Sequence, residues 1–514
     1  MGFFMLLKNK VFIYSIVFAF VYFITHVPRL GNDEMNPDAL NWHFRSEQYI
    51  DAIKSRDFRR TYQHYHPGVT LMLITGAPVE ILKRLSNPRV GYDRFSYEAF
   101  HFVAKYTLNV SLLILTLILV FLLSKIFTLE TSFLAGFFLT VEPFFLGNAR
   151  LLHMDALLSL LLINGLVSYY LWYKKNSYGW LILSSLFIGF SFWTKNISIL
   201  AIFFLTSFSF LLYIFKKITL KKFLIVLFSY VFFFFFSGYL ILPALWDDPV
   251  RVFKKIYSGS KLVVEKGHEE KFFGVVTENP GPFYYPIVFL YKLSPLLLLS
   301  SLGILVYLFR AVILKKKPPL LLAPGILYFL SLFFLFYFLA VEIADKKIDR
   351  YLLPLYPIII ISVSYFLISF FSNVKRKPVK TALTLLLVVI NIIPLVQYFP
   401  YYFVYNSPLF GGPRVADRVI GQKSFGIGIF EVRDFIRKNY GFVRVGFVDR
   451  KAMSTIYPNS MVFDARVYGA HNYDILVLDS DEIAPDKTKG KFVYDKTIKI
   501  AGINFWNFYV KKGE

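Results

Sequence analysis

Between Lys105 and Lys125, between Asp155 and Lys174, and between Arg350 and Lys375 the chain runs without one charged residue. A helix needs roughly 20 apolar residues to cross a hydrocarbon core about 30 Å thick. Only a helix or a closed barrel satisfies its own backbone there, and runs of this length suit helices. Eleven such runs can be marked, near 11–27, 106–124, 131–148, 156–173, 179–194, 197–215, 223–243, 287–309, 320–341, 351–372 and 381–398. Composition agrees: 56% of the 514 residues are hydrophobic and 18% charged, where a soluble protein carries about 25% charged residues. The expectation is an all-α polytopic membrane protein.

A net charge of +24 would suit nucleic acid if it formed one patch, but it lies in short clusters between apolar runs. With the N-terminus placed in the cytoplasm, segments 1–10, 125–130, 174–178, 216–222, 310–317 and 375–380 fall on one side. They hold 17 Lys or Arg and one acidic residue, Glu130, which is the positive-inside bias. No basic, aromatic-interleaved domain for nucleic acid is present. The absence of cysteine excludes disulfides and thiolate metal sites. The N-terminal run reads as a retained span, because no small-x-small cleavage site follows it.

Segment 69–82 is apolar but short, holds Glu80 and ends at Lys83-Arg84, so it is expected to lie at the outer interface. The outer face then receives loop 28–105, the turn from Arg150 to Asp155, loop 244–286 and everything after about residue 400. Strand-like stretches at 443–449 and 473–479 and a helical pattern at 429–439 predict that 400–514 forms a small α/β domain. Residues 1–399 form the membrane domain.

In the first outer loop, Asn36-Pro37-Asp38 opens a helix. On it Asp38, Trp42, Arg45 and Tyr49 share one face at spacings of three and four. Glu142, Arg150, His153, Asp155, Lys195 and Arg350 fall at outer ends of spans. Singly, each could anchor a helix at the interface. Together, carboxylates and isolated cations on one membrane surface suit a phosphorylated lipid substrate.

The ordered pieces PDALNWHFRSEQ, TYQHYHPGVTLM, EPFFLGNARLLHMD, FWTK, GPFYYPIVFLYKLSP, RYLLPLYP, YNSPLFGGPRVAD and GIGIFEVRDFI resemble the GT-C glycosyltransferases. The likeness is to their protein O-mannosyltransferase and aminoarabinose-transferase branch, and it covers essentially the whole chain. The resemblance implies a polyprenyl-phosphate sugar donor, mannose-like, and inverting transfer outside the cytoplasm to a protein Ser/Thr hydroxyl, a lipid or a glycan. It implies Asp38, four before Trp42, as base, with Asp33 of Asp33-Glu34 as runner-up, and Asp155 as the second acidic position. Phosphate-side cations map onto Lys195 and Arg350, with Arg150 nearby; Trp42, Arg45, His66 and Glu142 fall to the substrate loops. Some members hold a divalent metal, for which His66, His153 and Glu142 are the candidates, without a ligand spacing of their own. No other cofactor is implied.

The residue types fit that chemistry. A polyprenyl phosphate is already a good leaving group, whereas an acceptor hydroxyl needs a carboxylate base. Fixed cations stabilise the departing phosphate. The rival reading is a transporter or flippase of a lipid-linked substrate; charges at mid-span, where such sites sit, are scarce.

Overall fold

The computed structural model describes residues 10–85, 97–265, 269–313, 324–422, 425–448, 450–480 and 482–512. Lys8 and Lys315 to Lys317, counted above among the cytoplasmic charges, lie outside the described residues. The membrane part begins with α1 (Lys10–His26), followed by α2 (Pro37–Lys54) and α3 (Val69–Leu85). Then come α4 (Tyr97–Leu123), α5 (Leu129–Val141), α6 (Pro143–Ala149), α7 (Asp155–Lys175), α8 (Tyr178–Thr194), α9 (Ile199–Ile214) and α10 (Leu220–Ile241). A short α11 (Ala244–Asp247), the amphipathic α12 (Pro249–Glu265) and a hairpin of β1 (Glu270–Phe272) and β2 (Val275–Thr277) make the second long connection. The helices α13 (Tyr284–Lys292), α14 (Pro295–Ile313), α15 (Gly325–Ile343), α16 (Tyr356–Asn373) and α17 (Lys377–Gln397) complete the bundle.

The expected apolar runs fall on these helices, two of them divided between a pair. Seven helices among the described residues are long and apolar enough to cross a membrane, or eight if the bent pair α5–α6 is one span. Shorter apolar helices at Lys10–His26, Tyr178–Thr194 and Pro295–Val306 account for the other runs. The protein is an integral, multi-pass membrane protein. The helix α7 is its axis: 94% of its apolar window is buried inside the bundle, against 11% for α17 at the periphery.

Three local readings change. The run 131–148 is bent by 67° between α5 and α6, at Glu142-Pro143, because proline has no N–H to continue the helix and favours a first helical position. The run 287–309 breaks at Ser294, just before Pro295, for the same reason. Lys105, expected to bound a span, lies inside α4 and is wholly buried. Segment 69–82 is helical, as α3, and packs on α2 and α4.

The C-terminal unit continues through α18 (Gly412–Val419), α19 (Ile429–Tyr440), β3 (Val445–Phe447), α20 (Arg450–Ile456), β4 (Val462–Asp464), β5 (Ile475–Asp479), β6 (Phe492–Ile500) and β7 (Ile503–Lys511). These strands form a five-stranded sheet of order β4-β3-β5-β7-β6. The first three strands run parallel and the last two join antiparallel. Val445, Phe447, Val477 and Phe508 of the sheet and Ile429, Phe430, Val432 and Ile436 of α19 share one apolar core.

Candidate active site

The start of α2 is fixed locally. The Asn36 side chain accepts from Ala39 N at 2.7 Å, Pro37 supplies the first helical residue, and Asp38 sits in the first turn, where a carboxylate favours the positive end of the helix. From there the Asp38 carboxylate, 40% exposed, places Oδ2 3.6 Å from His153 Nε2 and 3.6 Å from Arg350 Nη2. It takes part in no hydrogen bond among the described residues.

Asp155 opens α7 and is buried. Its Oδ1 accepts from Lys195 Nζ at 2.6 Å, while its Oδ2 lies 2.9 Å from His153 Nδ1 and 3.9 Å from Arg350 Nη1. Lys195, at the end of α8, also sits 4.6 Å from the centre of the Tyr351 ring. Two carboxylates, two permanent cations and a histidine thus meet on four elements remote in sequence. His153 Nδ1, Asp155 Oδ2 and Arg350 Nη1 are buried without a hydrogen-bond partner; the 2.9 Å approach of the first two is too far out of line to serve. Buried polar groups are normally satisfied; here these three atoms are held to one another as ion pairs.

The electrostatics keep the Asp38 carboxyl ionised. Burial pushes the Asp38 carboxyl up, but His153 and Arg350 beside it hold it below the ordinary aspartate value. His66, on the turn after α2, donates from Nδ1 to Asn196 Oδ1 at 2.8 Å. That role is fixed because Asn196 uses its amide nitrogen on Ser260 Oγ. Burial, then Lys195, pull His66 down to about 3, so it stays neutral at pH 7.

Two cavities meet at the cluster. One, of about 690 Å³, is walled mainly by apolar residues, among them Phe192, Leu200, Phe253, Ile256 and Val341, and reaches His66, Lys195 and Tyr351. The other, of about 340 Å³, is polar and bordered by Asp38, Arg350, Lys292, Asp349, Gln422 and Phe425. Lys346 borders both.

No family model and no curated protein matches the sequence. Solved structures do. ArnT from Cupriavidus metallidurans in the apo state is similar at 12% identity, with 97% of each chain covered and a TM-score of 0.50. The same protein bound to undecaprenyl phosphate gives a TM-score of 0.48 at 12% identity and the same coverage. The apo oligosaccharyltransferase of Archaeoglobus fulgidus gives 0.46 at 12% identity, over 92% of this chain and 70% of that one.

The chain has the GT-C fold.

Within the GT-C fold the other candidate residues separate. Asp33 does not reach the cluster: it accepts from Lys105 Nζ at 2.5 Å and from Arg150 Nη2 at 2.9 Å, and all three are buried. Arg150 further donates to the carbonyls of Thr25 at 2.8 Å and Pro28 at 2.9 Å. Both residues thus pin the loop before α2, away from the cluster. Glu142 is likewise engaged, accepting from Ser294 N at 2.8 Å across the break between α13 and α14. Trp42 is buried against Gly68, whose added Cβ would meet its ring at 2.3 Å, and Arg45 lies 4.7 Å over the same ring. Tyr49 donates to Ile241 O. Of the shared face of α2, Trp42 and Tyr49 thus pack inward, while Asp38 stays partly exposed.

The metal candidates do not converge. His66 holds Asn196, Glu142 holds Ser294, and no group of three or more His, Asp or Glu among the described residues is placed to bind an ion. Lys292, Asp349 and Phe425 were missed in the sequence. Lys292 is signalled only as a lone lysine within an apolar stretch, and Phe425 carries no signal.

Proposed function

We propose that the protein is a glycosyltransferase that moves one hexose, mannose-like, from a polyprenyl-phosphate sugar to a hydroxyl on a protein, lipid or glycan acceptor outside the cytoplasm. The observation that carries this reading is the half-open Asp38 carboxylate beside Arg350 and the paired His153, Asp155 and Lys195, bordered by an apolar cavity and a second, more polar one. In this reading the acceptor oxygen attacks the anomeric carbon while Asp38 takes its proton. The bond from that carbon to the phosphate oxygen breaks, and the charge gained by the phosphate is stabilised by Arg350 and Lys195. Attack opposite the leaving group inverts the sugar carbon, by the geometry that separates inverting from retaining hydrolysis. Asp155 neutralises Lys195 and holds it in place.

Reconstituted protein given radiolabelled polyprenyl-phosphate hexoses and a membrane extract as acceptor source is expected to pass label into a product that no longer carries the polyprenol. Label that changes leaflet while the donor stays intact would establish a flippase instead.

The orientation is part of the proposal. Cysteines placed at Ser55, Ser258 or Ser480 are expected to react with an impermeant thiol reagent added outside intact cells, and one at Ser177 to be protected. Labelling at Ser177 with protection at Ser55 would put the site in the cytoplasm.

A further inference from the structure

We propose that the C-terminal unit completes the active site, with residues 425–427 acting as a wedge that positions both Asp38 and Arg350. The proposal rests on the reading of Asp38 as base. Met35, three residues before Asp38, is fully buried, and its side chain belongs to the apolar core of the C-terminal unit, together with Ile427, Phe430 and Trp506. Met35 N donates to Gly426 O at 3.2 Å, and Glu34 forms an antiparallel bridge with Ile427. Trp506 Nε1 of β7 donates to Ile427 O at 2.7 Å, which fixes the other edge of the wedge. Two ion pairs clamp α19 over the same loop, Arg29 to Glu431 at 2.9 Å and Arg433 to Glu98.

The approach at Gly426 is too close for any other residue. Its φ is +71°, and an added Cβ would stand 2.0 Å from Met35 O, 2.5 Å from Met35 C and 3.0 Å from Asn36 N. Asn36 is the cap that sets the first turn of α2, so a shift there moves Asp38 directly. Phe425 holds the second partner. Its ring lies 4.8 Å from the Arg350 guanidinium carbon and stacks on Phe403 at 5.4 Å. Its own φ is +47°, in the left-handed region that bulky residues avoid. Such a conformation persists only where the surroundings over-determine it, and it concentrates at functional sites. Phe425 and Gly426 are thus positioning residues: they act through Arg350 and through the cap of α2.

The test compares glycines of like positive φ in the full-length protein. Gly441 and Gly490 have φ of +72° and +73° with nothing within 4 Å of an added Cβ. Gly426→Ala is expected to lower kcat by about 100-fold, the effect of misplacing a reacting group by an ångström, with a smaller change in donor KM. Gly441→Ala and Gly490→Ala should lose stability by backbone strain of their own and keep their turnover per folded molecule.

Phe425→Leu removes the ring beneath Arg350, and Phe425→Tyr restores it. Asp38 is faced by His153, Arg350, Asp155 and Lys195, and also by Arg45, His64, Tyr65 and Tyr351, so loosening Arg350 is expected to move the acid limb of the pH–rate profile upward in Phe425→Leu and not in Phe425→Tyr. If Gly426→Ala fails to fold, this pair decides alone. Equal turnover in Gly426→Ala and Gly441→Ala, or an unmoved acid limb in Phe425→Leu, overturns the inference. Asp38→Asn separates it from the functional reading: a fully active Asp38→Asn sinks that reading itself, whereas a dead Asp38→Asn beside a normal Gly426→Ala sinks the wedge alone.

Discussion

Asp38→Asn is expected to lower turnover by about 100- to 10,000-fold, the usual contribution of a positioned base, while donor binding and thermal stability stay near those of the parent. An amide keeps the size and the hydrogen-bonding reach of the carboxylate but cannot take the acceptor's proton. The pH dependence follows from the same geometry. Burial raises the Asp38 carboxyl, and His153 and Arg350 more than offset that, so it remains ionised down to pH values below the ordinary aspartate range. Activity should therefore hold as pH falls through that range and be lost only below it.

Asp33→Asn should behave in the opposite way. Lys105 and Arg150 outweigh burial and hold its carboxyl below the ordinary value, so its stabilising contribution is present above that value and lost as pH falls through the lowered one. Removing its charge leaves Lys105 and Arg150 short of a partner in the interior, where breaking a buried pair costs about 3–5 kcal/mol. The variant is expected to melt earlier and to retain its rate per folded molecule. An active Asp38→Asn beside a dead, folded Asp33→Asn would exchange the two roles.

The second large effect is expected at the cations, and the structure divides it. Arg350 Nη1 is buried with no hydrogen-bond partner, and its nearest carboxylates are 3.6 and 3.9 Å away. Arg350→Met should lower kcat by about 30- to 1000-fold, the equivalent of about 2–4 kcal/mol of transition-state stabilisation, with a modest change in melting temperature. Lys195 is bonded to Asp155 at 2.6 Å, so Lys195→Met also strands a buried carboxylate and should lose both rate and stability. The double variant Lys195→Met/Asp155→Asn removes the stranded charge. It is expected to regain stability without regaining rate. A normal rate in folded Arg350→Met and in the double variant would take both cations out of the site.

The membrane architecture was legible because crossing a bilayer demands long apolar runs, and nothing else in a chain looks like them. The opening of α2 was equally legible, since Asn36-Pro37-Asp38 is a local signal that needs no tertiary contact. The position of charge along the membrane normal was readable, but its partner was not. Lys105 and Lys195 both read as span boundaries; one is locked to Asp33 and Glu34, the other to Asp155. Choosing between Asp33 and Asp38 required knowing which of them faces a cavity, and that depends on residues more than a hundred positions away. The C-terminal strands β3 and β5 fell where alternation placed them. The hairpin of β6 and β7 was missed because Lys, Asp and Thr interrupt its pattern on the exposed face, and Phe425 was missed because its role is a contact made across the whole fold.

The larger cavity is walled by Ile199 and Leu200 of α9 and by Val341 and Ile343 of α15, and α12 lies over it. On the proposed reading, a lipid-linked sugar entering between those helices reaches Lys195 without ever dissolving in water. Supply is then two-dimensional. The quantity that saturates the enzyme is the mole fraction of donor in the bilayer, not its amount per volume of buffer. Diluting loaded vesicles into more buffer should leave the rate per vesicle unchanged, whereas fusing them with inert phospholipid at constant total donor should slow it.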